Sequence, residues 1–366
     1  MKRFFAVGAL VLFAGAIILS WGSIRDVSAK IADYFYGDPD RPAGSRGTFD
    51  EAEYLKARDE YFALLHGAEP GKPFDPTSRQ RAVNEMERQR ASIMRSVVSG
   101  SPQVSPQLLT TWTPIGPFPI PNGQVTGSLP VSGRTTALAI DPGNSNKVYL
   151  GTAHGGVYRS TDGGMNWTQI FDSANTSAVG SLALAPSNPS ILYVGTGESN
   201  GSADSYAGVG LYRIDNCDTT ASLVGPINPV RNYLNGSGSP VSSPVFNGRS
   251  ISNIQVNPTD PSILYVGIAG GVIGIGGEAP LGNSVPPLGM RGLIRLTNAT
   301  SAPASVVAEK IAVTTVGGAG FDTPNTGNLN VNSIFVDPSD PNIMVVWLNG
   351  STTAGNGGIY RTTNAQ

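Results

Sequence analysis

Short stretches of alternating apolar and polar residues recur four times between residue 112 and the end of the chain. In each recurrence an apolar run ends near a proline, a second apolar run follows, and a third run starts with glycine and contains an arginine. Alternation with a period of two is the pattern of a β-strand that buries one face. The first runs of the four units begin at Ala137, Ser181, Ile254 and Ile334. Four such units predict an all-β fold made of a repeated antiparallel sheet.

Each unit predicts one four-stranded blade of a β-propeller. The order is strand 1, a proline-containing turn, strand 2, a variable loop, strand 3, a tight turn and strand 4. The fourth unit reaches only its third strand, so we expect about four blades over residues 112–366, with the last one truncated. A blade that lacks its fourth strand has an unpaired edge. The propeller is therefore predicted to be incomplete. Either the chain is the N-terminal part of a longer protein, or self-association or a partner chain closes the ring.

A tight turn follows the third strand of the first unit. Its residues are Ser160, Asp162, Gly163, Gly164 and, at the start of strand 4, Trp167. The two glycines supply the positive φ of a tight reversal, and the carboxylate can accept bonds from turn amides. We expect the tryptophan to lie flat against a neighbouring sheet and to bury a large apolar area. These five residues are predicted to be structural.

The chain before the repeats differs in composition. Residues 1–29 begin with Met1-Lys2-Arg3, continue with an apolar run and end in small residues, which indicates a signal peptide or an uncleaved membrane anchor. In both cases we expect the rest of the chain to be exported to the periplasm, the cell surface or the extracellular medium, and to contact the membrane only through this segment. Residues 30–100 are charged and predict two helices, after Thr48 and after Asp75, as a spacer or a packing element. Residues 101–111 form a linker.

Composition excludes several classes of function. Charged residues make up 14% of the chain and the net charge is −2. The chain therefore lacks the excess of basic residues that is typical of proteins that bind nucleic acid. Cys217 is the only cysteine, which excludes an intrachain disulfide and a cysteine-based metal site. With two histidines, a histidine-based zinc site is not expected, and no motif predicts a cofactor.

The long insertions all belong to one face of the predicted disc. They are the strand 2–3 loops at 196–209 and 268–291 and the connections between blades at 221–248 and 301–330. Insertions confined to one face of a repeat protein form its binding surface. Candidate ligand-binding residues at this rim are Arg134, Glu198, Arg249, Asp204 and Tyr206, with His154 in a nearby loop. Two arginines and a carboxylate could hold an anionic or polyhydroxylated ligand, or they could pair with each other as scaffolding.

Several motifs occur in an order that resembles a known family. They are Trp112-Thr113-Pro114-Ile115-Gly116-Pro117, Ser132-Gly133-Arg134, the tight turn after strand 3, and Gly195-Thr196-Gly197-Glu198. The chain from residue 112 resembles exported bacterial Asp-box (BNR-type) β-propellers, the sialidase-like, xyloglucanase-like and sortilin-like superfamily. The resemblance implies the fold and a structural role for the turn. It assigns no catalytic residue, since the Arg-Ile-Pro motif of sialidases is absent.

Three functions remain open at this point. The main hypothesis is an exported, non-catalytic propeller that binds a protein or polysaccharide through its insertion-rich face, or that serves as a unit of a surface assembly. The first alternative is a glycoside hydrolase, which requires two carboxylates about 5–10 Å apart in a cleft on that face. The second alternative is an assembly factor for a membrane complex, which the resemblance to photosystem II factors suggests.

Overall fold

Four small antiparallel sheets follow one another along the chain and form a four-blade β-propeller. The computed structural model describes residues 61, 64, 78–98, 129–199, 205–234, 240–270, 289, 291–314, 320–322, 329–349 and 357–365. The predicted all-β propeller is thereby confirmed. Residues 1–29, the predicted linker and all but two residues of the helix predicted after Thr48 lie outside the described residues.

One helix, α1 (Ser78–Val98), precedes the sheets. It matches the helix predicted after Asp75, and its described side chains are exposed. Glu85 and Glu87 form ion pairs with Arg88 and Arg90, three residues later. No helix among the described residues is long and apolar enough to cross a membrane.

Blade 1 comprises β1 (Thr135–Asp141), β2 (Asn144–Thr152), β3 (Val157–Ser160) and β4 (Thr168–Gln169). The strands pair in sequence order, each antiparallel to the one before it. This meander is the order that the repeated pattern predicts.

Blade 2 comprises β5 (Val179–Ala185), β6 (Asn188–Thr196), β7 (Leu211–Asp215) and β8 (Ser222–Ile227). The last strand falls inside residues 221–248, which we expected to be only a connection between blades. That expectation was wrong in part, because β8 pairs with β7 as a regular fourth strand. The remaining connection contains a hairpin of its own, formed by β9 (Val230–Leu234) and β10 (Pro240–Pro244).

Blade 3 comprises β11 (Ser250–Val256), β12 (Leu264–Ala269), β13 (Gly292–Thr297) and β14 (Val307–Ile311). Here too the fourth strand lies in a stretch, 301–330, that the sequence assigned to a connection. A 3-10 turn (Pro303–Ser305) precedes β14. The strands β15 (Val313–Thr314) and β16 (Gly320–Asp322) form a small hairpin after it.

Blade 4 comprises β17 (Asn330–Val336), β18 (Met344–Asn349) and β19 (Gly358–Thr362). Within the described ranges its sheet has three strands, as the truncated fourth unit predicts.

The innermost strands of successive blades pack side by side, β1 against β5, β5 against β11, and β11 against β17. Each contact encloses a separate apolar core. Tyr149 and Leu192 lie in the core between blades 1 and 2, Tyr193 and Ile254 lie between blades 2 and 3, and Val331 is buried between blades 3 and 4. The blades are therefore joined in series.

A glycine in strand 2 of each of the first three blades admits a branched side chain of the next blade. A Cβ on Gly195 would lie only 2.4 Å from Ile251 Cγ2. Real Cβ contacts are longer than this, so no other residue fits without displacement. The three pairs are Gly151 with Val179, Gly195 with Ile251, and Gly267 with Val331.

In blades 1 and 2, a tyrosine of strand 2 and an arginine of strand 3 bond to the following blade. In blade 3 the tyrosine does so, whereas Arg295 pairs with Glu309 of the same blade. Tyr193 Oη donates to the carbonyl of Pro261 at 2.6 Å, and Arg213 Nη1 donates to the carbonyls of Ala299 at 2.7 Å and Ser301 at 3.0 Å. These bonds satisfy carbonyls of blade 3 that the interface would otherwise leave without a donor. The same positions in blades 1 and 3 carry Tyr149, Arg159, Tyr265 and Arg295.

The tight turn after β3 has the predicted backbone. Gly163 and Gly164 adopt φ values of 73° and 96°. Ser160 Oγ donates to Asp162 Oδ1 at 2.8 Å and accepts from the amide of Gly164 at 2.8 Å. Trp167 is 39% exposed, so most of its side chain is removed from solvent. It packs over Gly164 at the end of the turn.

Candidate functional site

Two side chains with acid–base chemistry leave equivalent positions in neighbouring blades. His154 follows Gly151-Thr152-Ala153 at the end of β2, and Glu198 follows Gly195-Thr196-Gly197 at the end of β6. Because successive blades lie side by side, equivalent residues meet at one rim of the disc. This rim is on the face that carries the strand 2–3 loops and the connections between blades.

Glu198 is the buried centre of the site. The residue is 1% exposed, yet its carboxylate accepts bonds from two partners. One oxygen, Oε1, accepts from Arg134 Nη2, and the other, Oε2, lies 2.9 Å from His154 Nε2. Both partner side chains are 42% exposed. The carboxylate thus holds an arginine and a histidine at the surface while it is itself withdrawn from solvent.

Tyr206 closes the site from the strand 2–3 loop of blade 2. Its carbonyl accepts the amide of Glu198 at 3.0 Å. Its ring meets the imidazole of His154 edge to face, with 4.6 Å between the ring centroids and 65° between the planes. We call Arg134, His154, Glu198 and Tyr206 the rim cluster.

Backbone bonds fix the rim cluster. The amide of Ala153 donates to the carbonyl of Arg134 at 3.0 Å, which ties the end of β2 to the entry of β1. Gly197, just before Glu198, has a φ of 87°, and a Cβ there would lie 2.3 Å from the amide nitrogen of Gly208. Only glycine allows this approach. The loop is therefore held close to β6, and Glu198 has little freedom to move.

The structure brings together three of the five candidates from the sequence, Arg134, Glu198 and Tyr206. Arg249 is 5% exposed: its carbonyl accepts from the amide of Gly208 at 2.8 Å, and its Nε donates to the carbonyl of Gly289 at 2.5 Å. This guanidinium is a buried group of the blade 2–3 connection. The fifth candidate, Asp204, lies outside the described residues.

His154, expected only in a loop near the candidate residues, is a member of the rim cluster. Its bond to Glu198 follows from the equivalent positions of the two residues in neighbouring blades. The sequence contains a signal for this bond, because Gly-Thr-Ala-His and Gly-Thr-Gly-Glu occupy the same position at the end of strand 2 in blades 1 and 2. The equivalent position in blade 3 is Gly270, which has no side chain to add.

The rim cluster suits binding better than proton transfer. Both oxygens of Glu198 already have partners and the residue is withdrawn from water, whereas a general acid or base must reach the reacting atom. The exposed parts of Arg134 and His154 offer nitrogen donors, and a guanidinium binds carboxylates and hydroxyl groups in fixed geometry.

Other reactive side chains do not add to the site. Burial raises the pKa of the Cys217 thiol to about 11, so the sulfur is a neutral packing group. Its Sγ lies 3.3 Å from Tyr149 Oη inside the first inter-blade core. No group of three or more His, Cys, Asp or Glu side chains that could hold a metal ion occurs within the described ranges.

The comparisons with known proteins give partial likenesses. No family model matches the chain. A curated relative, the dispase autolysis-inducing protein of Streptomyces mobaraensis, is 29% identical over 147 residues, which cover 36% of this chain and 33% of the relative. The chain thus spans about a third of the length of that relative.

Two solved structures are similar at low identity. An ancestral GH74 enzyme has 20% identity and a TM-score of 0.41, covering 70% of this chain and 24% of its own. The GH74 xyloglucanase of Xanthomonas campestris has 15% identity and a TM-score of 0.38, covering 62% of this chain and 28% of its own. Both proteins are named as GH74 enzymes, which corresponds to the glycoside hydrolase alternative rather than to a non-catalytic binding propeller. None of these likenesses places the chain in a family.

Proposed function

We propose that this chain is the propeller of an exported protein that binds a protein or a polysaccharide through its insertion-rich face, with the rim cluster as the anchor. The observation that carries the proposal is the arrangement around Glu198. A buried carboxylate that fixes an exposed arginine and histidine is a preorganised set of donors. Preorganisation lowers the entropic cost of binding, and the neighbouring ring of Tyr206 adds a surface on which an apolar or sugar face can pack.

Two classes of ligand, proteins and polysaccharides, are supported by different observations. The curated relative is named for inducing autolysis of dispase, so a protein ligand, such as a secreted protease, is the first class to test. Hydroxyl-rich polymers are the second class, because arginine and histidine donors with an aromatic ring also suit sugars. Nucleic acid is not proposed, given the net charge of −2.

Retention assays test the proposal directly. The protein is passed over xyloglucan, cellulose, chitin and immobilised dispase. The expected result is retention by one of the four matrices, with loss of retention for Arg134→Ala. A matched control is Lys147→Ala, since Lys147 lies on the opposite, turn-bearing face, where it pairs with Asp218 at 2.9 Å. Equal retention of both variants would mean that the rim cluster is scaffolding.

A glycoside hydrolase is the second candidate. It is favoured by one feature of the rim cluster, a carboxylate hydrogen-bonded to a histidine beside an open loop face. Hydrolysis requires a second carboxylate at a suitable distance, and no described carboxylate joins Glu198 in its bonds to Arg134 and His154. Release of reducing ends from xyloglucan or β-glucan, lost in Glu198→Gln, would establish the hydrolase and overturn the binding proposal.

A further inference from the structure

The rim cluster hides its negative charge and exposes its cationic side chains. Arg134 and His154 each have a side chain that is 42% exposed, whereas the carboxylate of Glu198 behind them has no exposed surface. The guanidinium of Arg134 has five N–H donors and cannot accept a hydrogen bond. A ligand that reaches the cluster therefore meets donors first, with the compensating carboxylate behind them.

The bond between His154 and Glu198 fixes what the second nitrogen of the imidazole can do. Nε2 lies 2.9 Å from Glu198 Oε2, and because an ionised carboxylate only accepts, Nε2 carries the hydrogen of this bond. Nδ1 is then an acceptor while the ring is neutral, and it becomes a donor when the ring takes up a proton. The charge of His154 thus determines whether a ligand meets one donor group or two.

Among the described residues, groups from three elements surround the imidazole of His154. Glu198 lies at the end of β6, and Tyr206, whose ring centroid is 4.6 Å from that of the imidazole, lies in the strand 2–3 loop of blade 2. Arg134, before β1, bonds to the other oxygen of Glu198. The charges of Glu198 and Arg134 cancel, so a protonated His154 leaves the cluster with one positive charge. An anionic ligand compensates this charge.

A carboxylate attached to a sugar ring fits these features together. A carboxylate has acceptor oxygens and no donor, which matches Arg134 and a charged His154. Charge-assisted bonds of this kind are about twice as strong as bonds between neutral groups. Tyr206 is partly buried beside the imidazole and adds an aromatic surface on which the apolar face of the sugar can pack.

We infer that the rim cluster binds the carboxylate of a uronic-acid sugar in a polysaccharide, with Arg134 and protonated His154 as donors and Tyr206 beside the sugar ring. The inference rests on the function proposed above and narrows its polysaccharide class. Because the charged imidazole is the form that binds, a proton passes from the buffer to His154 Nδ1 when the ligand binds. Affinity therefore falls as the pH rises through the range in which histidine loses its charge.

Isothermal titration calorimetry of the full chain with oligogalacturonate tests the inference. The matched ligand is the methyl ester of the same oligosaccharide, which keeps the sugar rings and removes the charge. Titrations at about pH 6.5, where histidine is partly charged, are run in MES and in ACES. These buffers differ in their enthalpy of ionisation, so proton uptake changes the measured heat. We expect the ester to bind at least about tenfold more weakly than the acid, and the heat for the acid to depend on the buffer.

Glutamine variants of the two histidines assign the proton. His154→Gln keeps an amide donor for Glu198 but cannot be charged. The dependence of the heat on the buffer should disappear in this variant, and the affinity for oligogalacturonate should fall about tenfold. His66→Gln is the matched control, because His66 is the other histidine of the chain. It should keep both the affinity and the buffer dependence of the wild type.

Three results would overturn the inference. The first is that oligogalacturonate does not bind, or binds no better than its methyl ester. The second is a heat of binding that is the same in both buffers. The third is that hexaglutamate binds with proton uptake while oligogalacturonate does not, since the carboxylate would then belong to a protein ligand.

These outcomes are separate from a failure of the proposed function. If Arg134→Ala abolishes retention by a neutral polysaccharide or by dispase, the rim cluster binds a ligand and only the uronic acid is wrong. If Arg134→Ala changes neither retention nor the titration with oligogalacturonate, both proposals fail.

Discussion

At the scale of single residues, Asp162 shows how one carboxylate stabilises the tight turn of blade 1. Its Oδ1 accepts the amide of Asn166 at 2.9 Å, and its Oδ2 accepts the side-chain amide of the same residue at 2.7 Å. These bonds, with that from Ser160, lower the pKa of Asp162 from 3.8 to about 2. Hydrogen bonds to the charged form favour ionisation, so the ionised carboxylate is the form that the fold prefers.

The depressed pKa of Asp162 predicts a pH dependence of stability. A carboxyl group with a lower pKa in the folded state stabilises the fold fully above 3.8, and this contribution is lost as the pH falls through about 2. The free energy of unfolding of Asp162→Ala should therefore be lower than that of the wild type near pH 6, and the gap should narrow between about 4 and about 2. Urea denaturation across this pH range measures it. A constant gap would contradict the role of the charge.

The rim cluster shows which residue roles the sequence could predict. Arg134 and Glu198 were expected at the rim because each stands at a fixed place beside a strand of its blade, and the repeat fixes such places. The burial of Arg249 was not predictable, since it depends on the carbonyl of Gly289, forty residues away in a long insertion. Insertions follow no repeat, so their contacts cannot be deduced from the periodicity.

At the scale of strands, the glycine in strand 2 determines how closely two blades approach. Gly195→Ala would place a methyl group 2.4 Å from both Ile251 Cγ2 and Ser181 Oγ. Overpacking of a close-packed core costs about 1–3 kcal/mol, and we expect the free energy of unfolding to fall by that amount.

Gly133→Ala is the matched control for this prediction. A Cβ at Gly133 would meet no atom within 4 Å, so its effect on stability should be small. Chemical denaturation of both variants gives the comparison. If Gly195→Ala is as stable as Gly133→Ala, the close approach of blades 2 and 3 is not a requirement of the fold.

The positions of strands 1, 2 and 3 could be predicted from the sequence, whereas those of the fourth strands of blades 2 and 3 could not. The first three alternate regularly and share glycine, tyrosine and arginine positions that the inter-blade contacts require. The fourth strands lie at the outer edge of each blade. β8 contains Gly225-Pro226 and β14 contains Glu309 and Lys310, so neither shows the apolar run of an inner strand.

At the scale of the whole molecule, the blades form a series of three cores rather than one. A chain of units that contact only their neighbours loses stability locally. Leu348 is fully buried in the core between blades 3 and 4. Leu348→Ala should cost about 2–5 kcal/mol, and the loss should fall mainly on blade 4.

Hydrogen exchange followed by mass spectrometry checks where that loss falls. Amides of β17, β18 and β19 should exchange faster in Leu348→Ala, while those of β1, β2 and β3 keep the rate of the wild type. Equal acceleration in blades 1 and 4 would show that the propeller unfolds as one unit, against the serial arrangement of its cores.

Blade 4 also departs from the pattern that joins the other blades. Trp347 stands where blades 1 to 3 have the strand 2 glycine, and Val345 stands where they have the tyrosine. The tryptophan is 51% exposed. Strand 2 of blade 4 therefore lacks the glycine that, in blades 1 to 3, admits a branched side chain of the next blade.

The central claim is that the insertion-rich face binds its ligand through the rim cluster. The most direct test is isothermal titration calorimetry with the protease or polysaccharide that retains the protein in the matrix assay. The wild type is compared with Arg134→Lys and, as a matched control, with Arg361→Lys, since Arg361 is exposed on β19. Lysine keeps a cation beside Glu198 but removes the planar guanidinium donors. The account predicts binding about tenfold weaker or worse for Arg134→Lys, with the control and the melting temperatures unchanged. Equal affinity for all three proteins would contradict it.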